Sequence, residues 1–335
     1  MTTALVTGAT GTIGSALVRR LLAEGIGVRA LARSDAAAGG GGGGRGRGRR
    51  GARGDVLDAD TVRGAARGCE FLFHVAGRSG LCLPDAAAME RLNVEGATTA
   101  VRAAADAGVR RVVLTSSAAT LGEAAGAVGD ERTAHRGTFL SRYEASKHRA
   151  ERLALAIGRD RGVEVVSVNP ASVQGAGRTT GSARLLLDAV AGRLPVVVDA
   201  WLSLVDVEDC ATGHVLAARR GIAGERYVLA GSTMRVTEAF DLLDRLWGLP
   251  RRPRPIPAWT TVPVGWIGGA FGSLTGRRVR ACPEAMRTLR HGHRYDGSRA
   301  TRDLGLPYTP IEETLRRALA WYAERGLVPA ARPRG

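Results

Sequence analysis

Tyr143 and Lys147 lie four residues apart in Tyr143-Glu144-Ala145-Ser146-Lys147, and Lys147 is the single lysine among 48 basic side chains in 335 residues. Residues four apart share one face of a helix, one turn from each other. An ammonium placed there favours phenolate and lowers a phenol from its ordinary value of about 10. The result is a proton donor and acceptor usable near neutral pH. Arginine would not serve in the same way, since guanidinium stays charged whatever its surroundings, whereas a lysine ammonium titrates and acts as a compact point charge. Tyr-x-x-x-Lys also arises by chance on a solvated helix, so the pair acquires meaning only from the elements that position it.

The N-terminus supplies such elements. Thr3-Ala4-Leu5-Val6-Thr7 reads as a short buried strand, followed directly by Gly8-Ala9-Thr10-Gly11-Thr12-Ile13-Gly14. Ala16, Leu17, Val18, Leu21 and Leu22 then recur at helical spacing up to Gly25, and Val28 to Ala32 gives a second strand. Between a strand and a helix, such glycines allow a tight turn, close approach of a pyrophosphate and close helix–strand contact. The helix N-terminus offers free N–H groups and the positive end of its dipole. The unit predicts a dinucleotide site. Where the second strand ends, an acid would suit the ribose hydroxyls of NAD, whereas an arginine suits a 2′-phosphate. The sequence there reads Ala32-Arg33-Ser34-Asp35. Arg33 favours NADP, and Asp35 leaves NAD open.

Gly8, Gly11 and Gly14, taken with Tyr143 and Lys147, resemble the extended short-chain dehydrogenase/reductase family, of the NAD-dependent epimerase/dehydratase type. Further matches follow in the family's order: Asp55-Val56, the strand Phe71 to His74 with Val75-Ala76-Gly77, Asn93, Thr115-Ser116-Ser117, and Asn169-Pro170-Ala171-Ser172-Val173. The likeness continues through Val205 to Asp209 and the Thr314 to Leu327 helix, and covers nearly the whole chain. Its nearest groups are dihydroflavonol-reductase-like proteins and hopanoid-associated sugar epimerases.

The resemblance implies catalysis by Ser117, Tyr143 and Lys147. Ser117 is preferred to Ser116 because it directly precedes the small pair Ala118-Ala119; Ser116 is expected to face the backbone. Ser117 would hydrogen-bond the substrate oxygen, Tyr143 would exchange the proton, and Lys147 would hold the nicotinamide ribose and bias Tyr143 toward phenolate. The implied cofactor contacts are Gly8, Thr10, Gly11, Thr12, Ile13, Gly14, Arg33, Asp55, Val56, Val75, Ala76, Gly77, Asn93, Thr115, Tyr143, Lys147, Pro170, Ser172 and Val173.

Alternating strands and helices to about Asn169 predict an α/β, Rossmann-type doubly wound parallel sheet. Residues 1–169 would form the dinucleotide-binding domain. Residues 170–330 would be mainly a smaller substrate lobe, with 203–230 returning to the sheet. Gly39 to Arg50 interrupts this plan with six consecutive glycines and a Gly/Arg alternation. Glycine runs bury no apolar surface and lose the most backbone entropy on ordering. A disordered loop is therefore expected at 39–50, with a third strand that is short or missing.

The formal net charge is +16. Five of the arginines, Arg45, Arg47, Arg49, Arg50 and Arg53, fall in one loop, and no aromatics interleave with basic residues to stack bases, so nucleic acid is not an expected partner. Cys69, Cys82, Cys210 and Cys282 show neither metal spacing nor a pairing pattern, which predicts free thiols, no metal site and a cytoplasmic location. Met1 leads straight into the first strand, leaving no room for a signal peptide. Ala258 to Leu274 is uncharged but too short and glycine-rich to span a bilayer; it is expected to line the substrate pocket. The remaining partners are a small-molecule substrate and, as an option, a second copy of the chain.

Three functions compete. The first is an NADP-dependent reductase of a ketone or aldehyde, the second a nucleotide-sugar epimerase or dehydratase using NAD, the third a cofactor-sensing regulator without chemistry. Ala200-Trp201-Leu202-Ser203 places bulk where nucleotide-sugar enzymes of the family carry a diphosphate-binding arginine, which favours the reductase. Arg178, Arg184 and Arg235 could replace that charge from another direction.

Overall fold

The structure is a computed structural model that describes residues 2–34, 48–275 and 281–331. Its first half runs β1 (Thr3–Thr7), α1 (Thr12–Ala23), β2 (Gly27–Ala32), β3 (Arg49–Arg53), α2 (Ala59–Ala66), β4 (Phe71–His74), α3 (Ala86–Asp106), β5 (Arg111–Thr115), α4 (Arg142–Arg161) and β6 (Glu164–Pro170). With β10 (Arg226–Leu229) these make one seven-stranded parallel sheet in the order β3-β2-β1-β4-β5-β6-β10. The chain order reverses between β1 and β4, and ligands of such sheets bind in the crevice beyond the carboxyl ends of those strands.

Side-chain alternation builds the two layers. Ala4, Val6, Phe71, Phe73, Val166 and Val168 face α1 and α6 (Val207–Arg220) in one core. Leu5, Leu72, Val112, Leu114 and Val165 face α2, α3 and α4 in the other. A sheet covered on both faces requires the near-continuous apolar runs these strands carry.

β3 corrects the expected gap. Arg49-Arg50-Gly51-Ala52-Arg53 pairs in parallel with β2 along its length, from Val28↔Arg49 to Ala32↔Arg53. The ladder is made by the backbone, and an edge strand tolerates charged side chains that protect it from further pairing. Ala52 alone packs against the core. Arg49 and Arg50 are thus strand, not loop; the rest of the tract, Gly39 to Arg47, lies outside the described residues, as does Asp35.

The second half forms the lobe. β7 (Ser172–Gln174), β9 (Trp201–Asp206) and β11 (Ser232–Arg235) make a three-stranded sheet, and β8 (Val196–Val198) pairs with β12 (Arg254–Ile256). Of residues 203–230, only β10 joins the central sheet as a strand. α5 (Ser182–Val190), α7 (Val236–Trp247) and α10 (Ile311–Glu324) close a separate core around Leu187, Phe240, Leu243, Leu315 and Tyr322.

Two cysteines are not free. Cys82, in the loop after β4, is disulfide-bonded to Cys282, which caps α9 (Pro283–His291). The partners are 200 residues apart in sequence, with Cα atoms 5.8 Å apart, so only the folded lobe brings them together. Cys69 and Cys210 are free and buried. Ala258 to Leu274 becomes a short 3-10 turn and α8 (Thr261–Thr275). There α8 sets its glycines against α9 and turns its large side chains to solvent.

Candidate active site

The glycine turn closes against β4. Gly8 has φ +69°, and a Cβ there would fall 2.6 Å from the backbone nitrogen of Ala76. A Cβ on Gly14 would fall 2.1 Å from the Gly8 oxygen. No other residue fits either position. Gly11 begins α1 with no side-chain cap and no acid in the first turn, which leaves the helix's amide donors and dipole available for an anion. The same crevice is edged by Val75, Ala76 and Gly77, the last open to solvent. These features fit a dinucleotide: the turn, closed by the Gly11 N–H on the Gly8 carbonyl at 3.0 Å, and the N–H groups of Thr12 and Ile13 would hold its pyrophosphate. Thr10 is exposed beside them, Arg33 is exposed where β2 ends, and half-buried Asp55 precedes buried Val56 on the adenine side.

The helix that carries Tyr143 and Lys147 is well seated. Ser141 caps α4 by accepting from the Glu144 amide at 3.2 Å, and the Glu144 carboxylate accepts from the amide of Leu140, the residue before the cap, at 2.9 Å. Tyr143 is half-buried at the start of α4, and its side chain is hydrogen-bonded to Ser117. Ser117 and Tyr143 are therefore brought together. The Ser116 hydroxyl is buried with no hydrogen-bond partner among the described residues.

Lys147 is buried one turn on. Its Nζ donates to the Thr115 carbonyl at 2.6 Å, and burial, against a weaker pull from Glu151, lowers it to about 8. The phenol behaves differently from the expectation that the ammonium would lower it. Burial raises Tyr143 above its ordinary value, and the groups that pull it back are Ser117 and the guanidinium of Arg178. The ammonium is directed at the β5 carbonyl, and its charge bears on the buried His74 ring, which it helps to lower.

Thr115 is held from the other side. His214 donates from Nδ1 to the Cys210 carbonyl (2.7 Å) and receives the Thr115 hydroxyl at Nε2 (2.8 Å). Burial lowers His214 to about 4, which keeps the ring neutral in that tautomer. Asn93 is also a brace. Its amide binds both backbone groups of Arg78 and the Ser146 hydroxyl, so it shapes the edge beside Gly77 and has little capacity left for a ligand. Pro170, at the end of β6, and Val173, in β7, are buried, and the Ser172 hydroxyl joins Ser182 and Gln174 in a small network.

The arginines weighed against the bulk at Trp201 divide. Arg184 is bound to Asp188, and Arg235 makes three bonds to Asp199, two of them to its carboxylate. Arg178 acts on Tyr143, and its Nε is buried without a partner among the described residues. Trp201 itself lies under two guanidinium groups, Arg294 at 4.5 Å and Arg235 at 5.3 Å, so that wall is not purely apolar.

Sequence reasoning missed a buried polar cluster nearby. Glu123 accepts from His293 at 2.6 Å and lies 3.3 Å from His291, and Tyr295 bonds His293 at 2.8 Å. Burial would raise Glu123, but hydrogen bonds from the two histidines outweigh it and hold the acid at about 2. Burial, with the carboxylates of Glu123 and Glu144 nearby, raises the Tyr295 phenol. The available signal was the run His291-Gly292-His293-Arg294-Tyr295, which carries three polar rings within five residues where α9 ends.

The model of the NAD dependent epimerase/dehydratase family matches residues 4–230. The chain belongs to this family, the extended short-chain dehydrogenases/reductases. Its relatives include a putative dihydroflavonol 4-reductase of Synechocystis, 32% identical over 96% of this chain and 95% of that one. Sterol demethylase protein B of Methylococcus capsulatus is 34% identical over 97% of this chain and all of its own. Among solved structures, the crystal structure of gox2253 superposes with a TM-score of 0.85 at 31% identity, covering 98% of this chain and 100% of that one. This extended short-chain dehydrogenase/reductase is an NAD(P)-dependent oxidoreductase. No helix among the described residues is long and apolar enough to cross a membrane.

Proposed function

We propose that the protein is an NADP-dependent carbonyl reductase acting on a ketone or aldehyde of a small to medium organic substrate. The observation that carries this reading is the pairing of Tyr143 with Ser117, a proton donor beside a hydroxyl that can bind a carbonyl oxygen. A phenol raised by burial is protonated at neutral pH, which suits a group that must give a proton to a carbonyl oxygen.

The bound cofactor supplies the hydride. Ser117, bonded to Tyr143, orients the substrate carbonyl. The Tyr143 O–H breaks as the new O–H forms on the substrate oxygen, and the phenolate left behind is stabilised by Ser117 and Arg178. Lys147, anchored on the Thr115 carbonyl, is placed to meet the nicotinamide ribose. The name of the Synechocystis relative, a reductase, agrees with this direction.

A second reading, a nucleotide-sugar epimerase using NAD, draws on Arg178 and Arg294, whose Nε atoms are both buried without partners among the described residues. Two such donors could serve a diphosphate. The deciding experiment pairs an NADPH oxidation screen over ketones and aldehydes with titration of UDP and UDP-sugars into the cofactor-loaded protein. Turnover of a carbonyl that disappears in Tyr143→Phe, with cofactor affinity kept within about threefold, supports the reductase. Micromolar UDP-sugar binding, lost in Arg178→Ala or Arg294→Ala, overturns it.

A further inference from the structure

The sidedness of α8 is inverted relative to an ordinary surface helix. Thr261, Gly265, Gly268 and Gly269 recur at helical spacing on the inner face. A Cβ at Gly268 would fall 1.8 Å from the Ala281 carbonyl oxygen, and one at Gly265 3.0 Å from Met286. The helix is therefore pressed backbone-first onto α9 and its preceding turn. The side chains that could bury apolar surface point the other way. Trp266 is 71% exposed, Ile267 70%, Phe271 53% and Leu274 87%, with Val262, Val264 and, from the preceding turn, Trp259 beside them. No charged residue interrupts this face between Ala258 and Thr275. Scattered exposed apolar residues are ordinary on a monomer, whereas a contiguous apolar face marks an interaction site.

Charge identifies the occupant. Between Asp244 and Glu284 the sequence contains seven arginines and no acidic residue. Arg251 and Arg254, on the connector that leads into the helix, are exposed. A second copy of the chain would bring arginine against arginine. An anionic lipid surface offers the complement to both features, headgroup charge for the guanidinium groups and acyl boundary for the Trp, Ile, Phe and Leu side chains. The length agrees: 15 residues rise about 22 Å, short of the ~30 Å hydrocarbon core, so the helix lies in the interface and does not cross it.

We propose that the outer face of α8, flanked by Arg251 and Arg254, docks the protein on the surface of an anionic lipid bilayer. The surface is tied to the chemistry through α9. Glu284, in its first turn, accepts from the backbone amides of Cys82 (2.5 Å) and of Arg142 at the start of the catalytic helix (3.1 Å). A docked molecule would thus present its catalytic helix at a set orientation to the membrane.

The test is flotation of the full-length protein with vesicles of phosphatidylcholine alone and of phosphatidylcholine with phosphatidylglycerol. The wild type should float with the anionic vesicles, and less so as salt is raised. Trp266→Ser/Ile267→Ser/Phe271→Ser should weaken partition by at least about tenfold. Arg251→Gln/Arg254→Gln should weaken it on anionic vesicles only. Circular dichroism checks that the triple variant folds, and Leu274→Ser, at the most exposed position, gives a milder version of the same loss. A wild type that stays with neither vesicle overturns the proposal, as does a triple variant that floats as well as wild type. A dimer by sedimentation velocity that is broken by the triple variant, without flotation of either protein, would assign the face to a second copy instead.

Discussion

Asn93 Nδ2 donates to Ser146 Oγ at 2.9 Å, and Ser146 Oγ in turn donates to the Tyr143 carbonyl at 2.8 Å. Because Asn93 also binds the amide and carbonyl of Arg78, one buried side chain ties the loop after β4 to the turn of α4 that carries the phenol. The dinucleotide side and the proton-transfer side of the site are thereby held in one register.

Asn93→Ala should cost about 1–3 kcal/mol of stability, because it leaves buried backbone groups of Arg78 and the Ser146 hydroxyl unpaired. Turnover should fall roughly tenfold, in kcat more than in KM, since small misplacements of reacting groups are expensive. Ser146→Ala cuts only the link to α4 and should lower kcat with a smaller loss of stability. Urea unfolding and steady-state rates separate the two effects. Wild-type kcat in both variants would show that the brace is structural only.

The pH profile of reduction follows from the phenol. The protonated form is the active one, so the rate should hold through neutral pH and decline as pH rises through the elevated value of Tyr143. Arg178 lowers that value, so Arg178→Met should move the alkaline limb to higher pH. A limb that stays put, or moves down, would mean that another group titrates.

NADPH should bind more tightly than NADH, with Arg33→Ala bringing the two dissociation constants together. A charge-assisted contact between guanidinium and a 2′-phosphate is worth about 1.5–3 kcal/mol, roughly tenfold or more in affinity. Fluorescence titration of both cofactors against both proteins measures it. A wild type that prefers NADH contradicts the assignment.

Stability should fall with acid below about pH 6.5, the ordinary histidine value. Burial lowers His214 to about 4 and His74 to about 3. Both are neutral when folded and take up protons when unfolded, so their contribution is complete above pH 6.5 and is lost as pH falls toward those values. Each histidine removes about 1.4 kcal/mol per pH unit across that window. Urea midpoints at pH 7.5 and 5 should differ accordingly, and His214→Gln should flatten the slope. Equal midpoints in the wild type would show that neither ring is held neutral.

Much of this was legible from local pattern. The strands near Ala4, Val28, Phe71, Val112 and Val165 each lie inside an observed strand, because a sheet covered on both faces needs apolar runs that few other elements share. β3 was not legible, since an edge strand held by backbone bonds needs no apolar side chains. The short strands β7, β8, β11 and β12 carry three or four residues each, too few for a period to emerge.

The sequence by itself determined the chemistry that the chain can attempt. The spacing of Gly8, Gly11 and Gly14 between strand and helix, and of Tyr143 and Lys147 on one helix face, follows from local geometry alone. Tertiary structure decided the state of those groups. Which charge reaches the phenol depends on the loop that carries Arg178, which is distant in sequence from Tyr143, and on the Thr115 carbonyl that claims Lys147. The pairing of Cys82 with Cys282, the gathering of Glu123 with His291 and His293, and the outward turn of α8 are likewise contacts between distant segments. Local periodicity specifies which face of an element is apolar; what that face meets is fixed only when the whole chain has packed.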